Sequence, residues 1–312
     1  MASIIVSDID ELISLVFPEE RTANSSGELG LDERLVKIYN EKGYDSKPKT
    51  EKEADLIGEK HFNGLQSSIP YFSVSETNGK KIVVAHLAPT RYLFGQAMKD
   101  FTKTHPDVSQ EVINEISPKM ANVSLLVPVK EGKQYFLLAQ IKGKAVGSGQ
   151  IQAALVAGGV NYQDLQSENP FLNALKHEVS EEVGLDLSYL KPTSFLYLVD
   201  ERKIGNLNFV AVAEGQRIDD ILTVYESLTK KELQQGKNLE VMALSQLDIA
   251  GLSLIPVEGG HKLEDCLSYF PSENGLTSRR ESRTVRPYTE AIVNYLKQDQ
   301  KNVKTLLKRA GF

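Results

Sequence analysis

The segment that most constrains the fold is an apolar, strand-like run that ends near a glycine pair. The run covers residues 152–160 and contains Gly158-Gly159. After a polar loop it is followed by an amphipathic helix, predicted over residues 169–183. A strand buries its apolar residues only beside other strands, and such a helix must pack its apolar stripe against them. The sequence therefore predicts an α/β protein at this point of the chain.

The predicted helix has clear signals at both ends. Asn169 is a candidate N-cap and Pro170 suits the first helical position. Gly184 supplies a left-handed terminator. The residues expected on the buried stripe are Phe171, Leu175, Val179 and Val183, which recur every four positions, together with Leu172 and Ala174.

Strand-like and helical patterns fill the rest of the chain. Further helices are predicted over residues 3–17, 32–42, 92–104, 108–116, 222–235 and 283–297, and further strands over 81–87, 121–129, 135–142, 194–199, 206–213 and 239–244. Ser117-Pro118 is the predicted domain boundary. It separates a smaller α+β domain, residues 1–117, from a domain with a mixed sheet and packed helices, residues 118–312.

Composition narrows the partners and the compartment. Lys and Arg number 36 against 42 Asp and Glu, a net charge of −6, so nucleic acid is an unlikely partner and an anionic substrate would need a divalent cation beside it. The only cysteine, Cys266, excludes an intrachain disulfide and fits a reducing compartment, so we expect a cytoplasmic protein. No apolar run approaches the roughly 18 residues of a membrane helix, and the N-terminus is not typical of a signal peptide.

Three glutamates at the end of the predicted helix carry the chemical signal. Glu178, Glu181 and Glu182 are spaced i, i+3 and i+4, so their carboxylates converge within one helical turn. Like charges at this spacing cost about 0.2–0.5 kcal/mol per pair, and acids in a last turn also oppose the helix dipole. Clustered carboxylate oxygens suit Mg²⁺ or Mn²⁺, which would offset the repulsion. A solvated acidic face is the alternative interpretation.

The run HEVSEEVGL, residues 177–185, resembles the second half of the Nudix hydrolase signature, G-x5-E-x7-R-E-U-x-E-E-x-G-U, in which U is a bulky aliphatic residue. The matching positions are Glu178, Val179, Glu181, Glu182, Gly184 and Leu185, and Gly158-Gly159 resembles the glycine pair that opens the motif. The resemblance covers residues 118 to about 300 and implies a Nudix-like α/β/α sandwich with a mixed sheet.

Three positions depart from the family pattern. The family Arg, which orients a neighbouring Glu through a bidentate pair, is replaced by His177. Glu168 is one residue too far from His177, and the loop over residues 161–167 carries an insertion that contains Asp164. Glu168, Asp164 and His177 are therefore additional candidate site residues.

The resemblance implies Mg²⁺-dependent hydrolysis of a phosphoanhydride in a nucleoside diphosphate linked to another group, with ADP-ribose or a nucleotide sugar as the default substrate. Glu181 and Glu182 would ligate the metal, and Glu178 would be a further ligand or the catalytic base. The Gly159 carbonyl would complete the coordination, and Glu240 is one more candidate. A nucleoside triphosphate pyrophosphohydrolase and a catalytically weak nucleotide-sensing or protein-binding module are the alternatives. Residues 1–117 would shape specificity or mediate a homodimer.

Overall fold

A computed structural model describes residues 2–22, 29–57, 62–142, 151–152, 156–180, 190–201, 205–234, 249–257, 266–272, 275–281 and 284–312. Its helices are α1 (Glu33–Glu41), α2 (Glu51–Leu56), α3 (Tyr92–Thr104), α4 (Gln110–Ile116), α5 (Pro170–Glu178), α6 (Ile218–Gln234), α7 (Pro287–Gln298) and α8 (Gln300–Arg309). Its strands are β1 (Ser3–Ser7), β2 (Glu11–Val16), β3 (Leu65–Thr77), β4 (Lys80–Arg91), β5 (Met120–Glu131), β6 (Gln134–Lys142), β7 (Ile151–Gln152), β8 (Val156–Gly159), β9 (Pro192–Glu201), β10 (Asn206–Ala213), β11 (Gln216–Arg217), β12 (Ile249–Pro256), β13 (Cys266–Ser272) and β14 (Gly275–Glu281).

These elements form a mixed α/β architecture, which confirms the predicted class. The strands build a large mixed sheet with both parallel and antiparallel pairs, for example β2 parallel and β3 antiparallel to β4. In the part of the chain described above, no helix is long and apolar enough to cross a bilayer.

The chain divides into two compact units, each built from separate stretches of sequence. Unit one contains Met1–Val123, Gly158–Ala174 and Leu198–Phe209. Unit two contains Ser124–Ala157, Leu175–Tyr197 and Val210–Phe312. Strands β5, β8, β9 and β10 and helix α5 each give residues to both units. The sequence-based boundary at 117/118 stays a prediction.

In unit one, β4 is the central strand of a small sheet. It pairs in parallel with β2 and antiparallel with β3, and β3 meets β5 where Ser68 faces Met120. Alternate residues of β4 (Val83, Ala85 and Leu87) are fully buried, as a strand with one core-facing side requires.

A helical cluster forms an apolar core of unit one. Tyr39 of α1 stacks on Phe94 of α3, with ring centroids 4.0 Å apart. The buried members of the cluster are Leu31, Leu35, Tyr39, Leu93, Phe94, Ala97, Met98, Phe101, Ile113 and Ile116. Helices α1, α3 and α4 are therefore held by the apolar faces that their periodicity predicted.

A buried arginine forms hydrogen bonds to several connecting segments of unit one. The Arg21 guanidinium donates to the carbonyls of Leu29, Gly30 and Pro118, the last at 2.9 Å. Burial lowers the pKa of Arg21 to about 10, so the side chain is charged at neutral pH. The main chain at the predicted boundary is thus bonded to a residue near the N-terminus.

Unit two contains an antiparallel series of strands. β12 pairs with β6 and with β13, and β13 pairs with β14. Leu254 marks the register, because it faces Leu138 on one side and Leu267 on the other. Helix α7 buries Tyr288, Ile292, Val293 and Leu296, and Asp299 caps α8 through the Lys301 amide.

Several sequence predictions need correction. The helix predicted over residues 3–17 is wrong: this segment forms β1 and β2, with Asp8 at φ 57° between them. Its Ile and Val residues favour extended backbone, and β2 gains β4 as a partner. Elements α2, β3, β11, β12, β13, β14 and α8 were also not predicted from the sequence. The predicted strand 239–244 lies outside the described residues.

Candidate functional site

The glycine pair lies in a segment that main-chain hydrogen bonds fix on both sides. The Val160 amide donates to the Ala121 carbonyl at 2.9 Å, and the Ser67 amide donates to the Val160 carbonyl, also at 2.9 Å. The Tyr162 amide donates to the Leu65 carbonyl at 3.4 Å. All of these residues belong to unit one, so β3 and β5 hold the segment that follows Gly159.

A side chain of β3 covers Gly159. An added Cβ at this glycine would lie 3.0 Å from Nε2 of Gln66 and 3.3 Å from both its Cδ and its Oε1. A larger residue at position 159 would therefore require the end of the Gln66 side chain to shift. This close approach explains why a glycine suits position 159.

Asp164 organises the loop between the glycines and α5. Its carboxylate is fully buried and accepts hydrogen bonds from the Asn161 amide and from Nδ2 of Asn173, each at 2.8 Å. The Asp164–Gln166 segment forms a single 3-10 turn. Both oxygens of this candidate ligand are thus engaged by its own loop and by α5, which favours a structural role.

Helix α5 begins as predicted. Oδ1 of Asn169 accepts from the Leu172 amide at 3.1 Å, and Pro170 is the first helical residue. Phe171, Ala174, Leu175 and Val179 are buried, and the Phe171 ring lies 4.5 Å from that of Phe209. Leu172 was wrongly assigned to the stripe, since it is 37% exposed.

The predicted site residues differ in where the structure places them. His177 and Glu178 are half-buried in the last turn of α5, whereas Glu168 is exposed before the helix begins. Glu181, Glu182 and Glu240 lie outside the described residues, as do Val183, Gly184 and Leu185.

The described donors have the right chemistry for a hard cation but do not complete a site. The carboxylate of Glu178 and the carbonyl of Gly159 are oxygen donors, which Mg²⁺ and Mn²⁺ prefer. No group of three His, Cys, Asp or Glu side chains that could hold a metal occurs within the described ranges. The ligand set stays a prediction, since two of its three carboxylates fall in the range 181–189.

Sequence reasoning missed Gln66. The strand β3 that carries Gln66 was not predicted, and Gln66 is far from Gly159 in the sequence. The apolar and β-branched residues of its stretch LQSSIPYFSV were the available signal for a strand. No sequence pattern could have paired this strand with the glycine segment.

The chain matches no family model, no curated protein and no solved structure. A function for this chain is therefore inferred from its own residues.

Proposed function

We propose that the protein hydrolyses a phosphoanhydride bond in a nucleoside diphosphate derivative, with Mg²⁺ as cofactor, on a Nudix-like α/β/α sandwich. The observation that carries the proposal is the order of local structure around the motif. Strand β8 ends at Gly159, a turn follows, and the capped helix α5 carries Glu178 in its last turn. ADP-ribose and nucleotide sugars are the proposed substrates. The proposed location is the cytoplasm, with which the single, buried cysteine, Cys266, is compatible.

The proposed roles follow the motif. Glu178, Glu181, Glu182 and the Gly159 carbonyl would hold the cation, which supplies neutralisation of phosphate charge. Glu178 is the described carboxylate that could accept the proton of the attacking water. The bonds from β3 and β5 fix the main chain beside Gly159, so its carbonyl direction is set before any ligand binds.

One observation favours a second function. His177 occupies the position of the family Arg, and an imidazole cannot make the bidentate pair of a guanidinium. A carboxylate that lacks this support would be held less firmly. The second candidate is therefore a module that binds nucleotides with little or no turnover.

Hydrolysis by the purified chain separates the two. The substrates are ADP-ribose, UDP-glucose, a dinucleoside polyphosphate and the NTPs, with Mg²⁺ as the variable. Released phosphate is detected after a phosphatase for the first three and after an inorganic pyrophosphatase for the NTPs. Glu178→Gln and Glu182→Gln should each lower turnover about a hundredfold or more. Glu111→Gln, which removes an exposed first-turn glutamate of α4, is the matched control.

The outcomes are distinct. Mg²⁺-dependent turnover that both box variants lose, and the control keeps, supports the hydrolase. Hydrolysis restricted to NTPs would indicate the pyrophosphohydrolase alternative. A wild-type chain that hydrolyses nothing but binds nucleotide supports the second candidate.

A further inference from the structure

Unit two contains a cavity of about 210 Å³. Strands β5, β6, β12, β13 and β14, which lie side by side in the sheet, all contribute residues to its walls. The lining residues that define its chemistry are Glu131, Phe136, Leu254, Pro256, Leu267 and Arg280. Neither Gly159 nor Glu178 lines the cavity, so it offers a binding surface that the proposed hydrolysis does not use.

The strand register gives the cavity an apolar floor. Leu254 faces Leu267 across β12 and β13, and Pro256 faces Phe136 across β12 and β6. Leu254 and Pro256 are two residues apart, so they project from the same face of β12. Leu254 is buried and the other three are half-buried. A ligand with an apolar body can therefore cover this floor.

Two side chains of opposite charge border the floor. Glu131 ends β5 on one side, and Arg280 of β14 faces Leu267 on the other. Both side chains are exposed, and neither has an ion-pair partner among the residues that the structure describes. A carboxylate only accepts hydrogen bonds and a guanidinium only donates them. The cavity thus combines an acceptor and a donor of opposite charge with one apolar surface.

The charge of Glu131 is felt on the cavity side of β13. Tyr269 is two residues from Leu267, so its ring projects from the same face. Burial raises the pKa of its phenol, and the negative charges of Glu131 and Asp219 raise it further. Asp219 is paired with Arg217, which leaves Glu131 to favour an ammonium group on this side.

The volume limits the size of the ligand. A dry cavity of about 150 Å³ holds benzene, whereas the sites of drug-sized ligands occupy about 300–1,000 Å³. A space of about 210 Å³ therefore accepts a branched or aromatic side chain but not a nucleoside diphosphate.

We propose that this cavity binds a free apolar amino acid of the size of leucine or phenylalanine. Its carboxylate accepts hydrogen bonds from Arg280, its ammonium donates to Glu131, and its side chain covers the floor. Glu131 repels an anion and Arg280 repels a cation, so a zwitterion is the ligand that both charges favour. Both side chains are long and lie at the rim, so each can turn toward the two charges of the ligand.

Calorimetric titration of the full-length protein with analogues of one charge tests both contacts. The ligands are phenylalanine, 3-phenylpropionate, which lacks the ammonium, and phenethylamine, which lacks the carboxylate. Wild type should bind phenylalanine about tenfold more tightly than either analogue. Arg280→Gln should weaken phenylalanine and 3-phenylpropionate about tenfold without weakening phenethylamine. Glu131→Gln should weaken phenylalanine and phenethylamine by a similar factor without weakening 3-phenylpropionate.

Two matched variants control for net charge. Arg279→Gln removes the neighbouring arginine, which strand alternation places on the other face of β14 and whose guanidinium lies 4.3 Å from the centre of the Phe270 ring. Glu290→Gln removes an exposed glutamate of α7 in unit two. Both should leave the affinity for phenylalanine unchanged. Thermal melts establish that each variant is folded.

The crossed pattern, in which each rim variant weakens phenylalanine and only the analogue that keeps its contact, supports the inference. A wild-type protein that binds neither phenylalanine nor leucine at millimolar concentration overturns it, as does equal affinity for phenylalanine and phenethylamine. An equal loss in Arg279→Gln would assign the effect to net charge and also overturns it. None of these ligands contains a phosphoanhydride, so the result is independent of the proposed function.

Discussion

Asp164 is a buried carboxylate whose two oxygens serve the loop that contains it. Oδ2 accepts from the Asn161 amide, and Oδ1 accepts from the side chain of Asn173 on α5. The sequence suggested this residue as a further metal ligand, because it is an acid in a polar loop near a glycine pair. A sequence does not show that both carboxylate oxygens accept hydrogen bonds within the protein. The geometry favours a role in folding the loop.

Asp164→Ala should lower the free energy of unfolding by about 1–3 kcal/mol, because it removes a buried acceptor and leaves two part-buried donors without their partner. Urea denaturation measures the change. Glu168→Ala, at an exposed position in the same loop, should remain within about 0.5 kcal/mol of wild type. A variant of normal stability that loses Mn²⁺-dependent thermal stabilisation would instead identify Asp164 as a ligand.

Tyr44 makes the stability of the folded protein fall at alkaline pH. Burial, followed by the 2.6 Å hydrogen bond that its hydroxyl donates to Asp100, raises the pKa of the phenol to about 12. The folded state therefore holds the proton more firmly than the unfolded chain, whose tyrosines titrate near pH 10. The resulting stabilisation is complete below pH 10 and is lost as the pH rises through 12.

Tyr44→Phe should therefore flatten the fall in urea midpoint between pH 10 and pH 12, while lowering stability modestly at neutral pH. Tyr162→Phe, at an exposed position, is the control and should retain the wild-type slope. An unchanged slope in Tyr44→Phe would assign the alkaline loss of stability to other groups.

At the scale of elements, α5 depends on its first turn. The Asn169 side chain accepts from the Leu172 amide, and its carbonyl accepts from the Asn173 amide. The buried face of Phe171 and Leu175 then holds the helix, which carries His177 and Glu178 at its other end.

Asn169→Ala should cost about 1 kcal/mol of stability, because the first turn loses its side-chain acceptor. Asn169→Ser, which keeps an acceptor at the cap, should recover most of that loss. Chemical denaturation of the two variants measures the difference, and equal midpoints would show that packing alone fixes the start of α5.

Elements with local signals were predicted well. Helix α3 has its predicted bounds, and α1 lies between the Asp32 cap and Gly43, whose φ of 66° ends it in the left-handed region. The strand–glycine–helix order around α5 was predicted for the same reason. The helix predicted over residues 3–17 was wrong because the apolar spacing of this segment also fits two short strands. The strand that favours the extended form by pairing with β2 is β4, which is distant in the sequence.

At the scale of the whole molecule, unit one is assembled from three separate stretches of chain. Its segment Gly158–Ala174 bonds to Leu65 and Ser67 on β3 and to Ala121 on β5. A sequence pattern can indicate where one continuous stretch of chain gives way to the next. It cannot reveal that residues 158–174 and 198–209 belong to the same unit as residues 1–123. For the same reason the contact of Gln66 with Gly159 had no signal in the sequence.

The predicted boundary at 117/118 implies that residues 118–312 fold by themselves. We expect instead that a fragment of these residues does not fold. It lacks Arg21, which binds the Pro118 carbonyl, and all of β3. We expect a broad thermal transition by circular dichroism and rapid proteolysis between residues 158 and 174. Co-expression with residues 1–117 should restore a cooperative melt. A fragment that melts sharply by itself would support the boundary at 117/118.

The three-stretch assembly of unit one also determines when it can form during synthesis. A ribosome that has finished Val123 must still add the 86 residues up to Phe209 before the last stretch of unit one exists. At about 5–20 residues per second this takes roughly 4–17 s. During that interval β2, β3 and β4 can pair with one another, but the residues of β3 that bond to Val160 and Tyr162 wait for their partners until those residues are made. An unpaired strand edge can pair with another chain, so this part of β3 is a site where the nascent chain can aggregate or bind a chaperone.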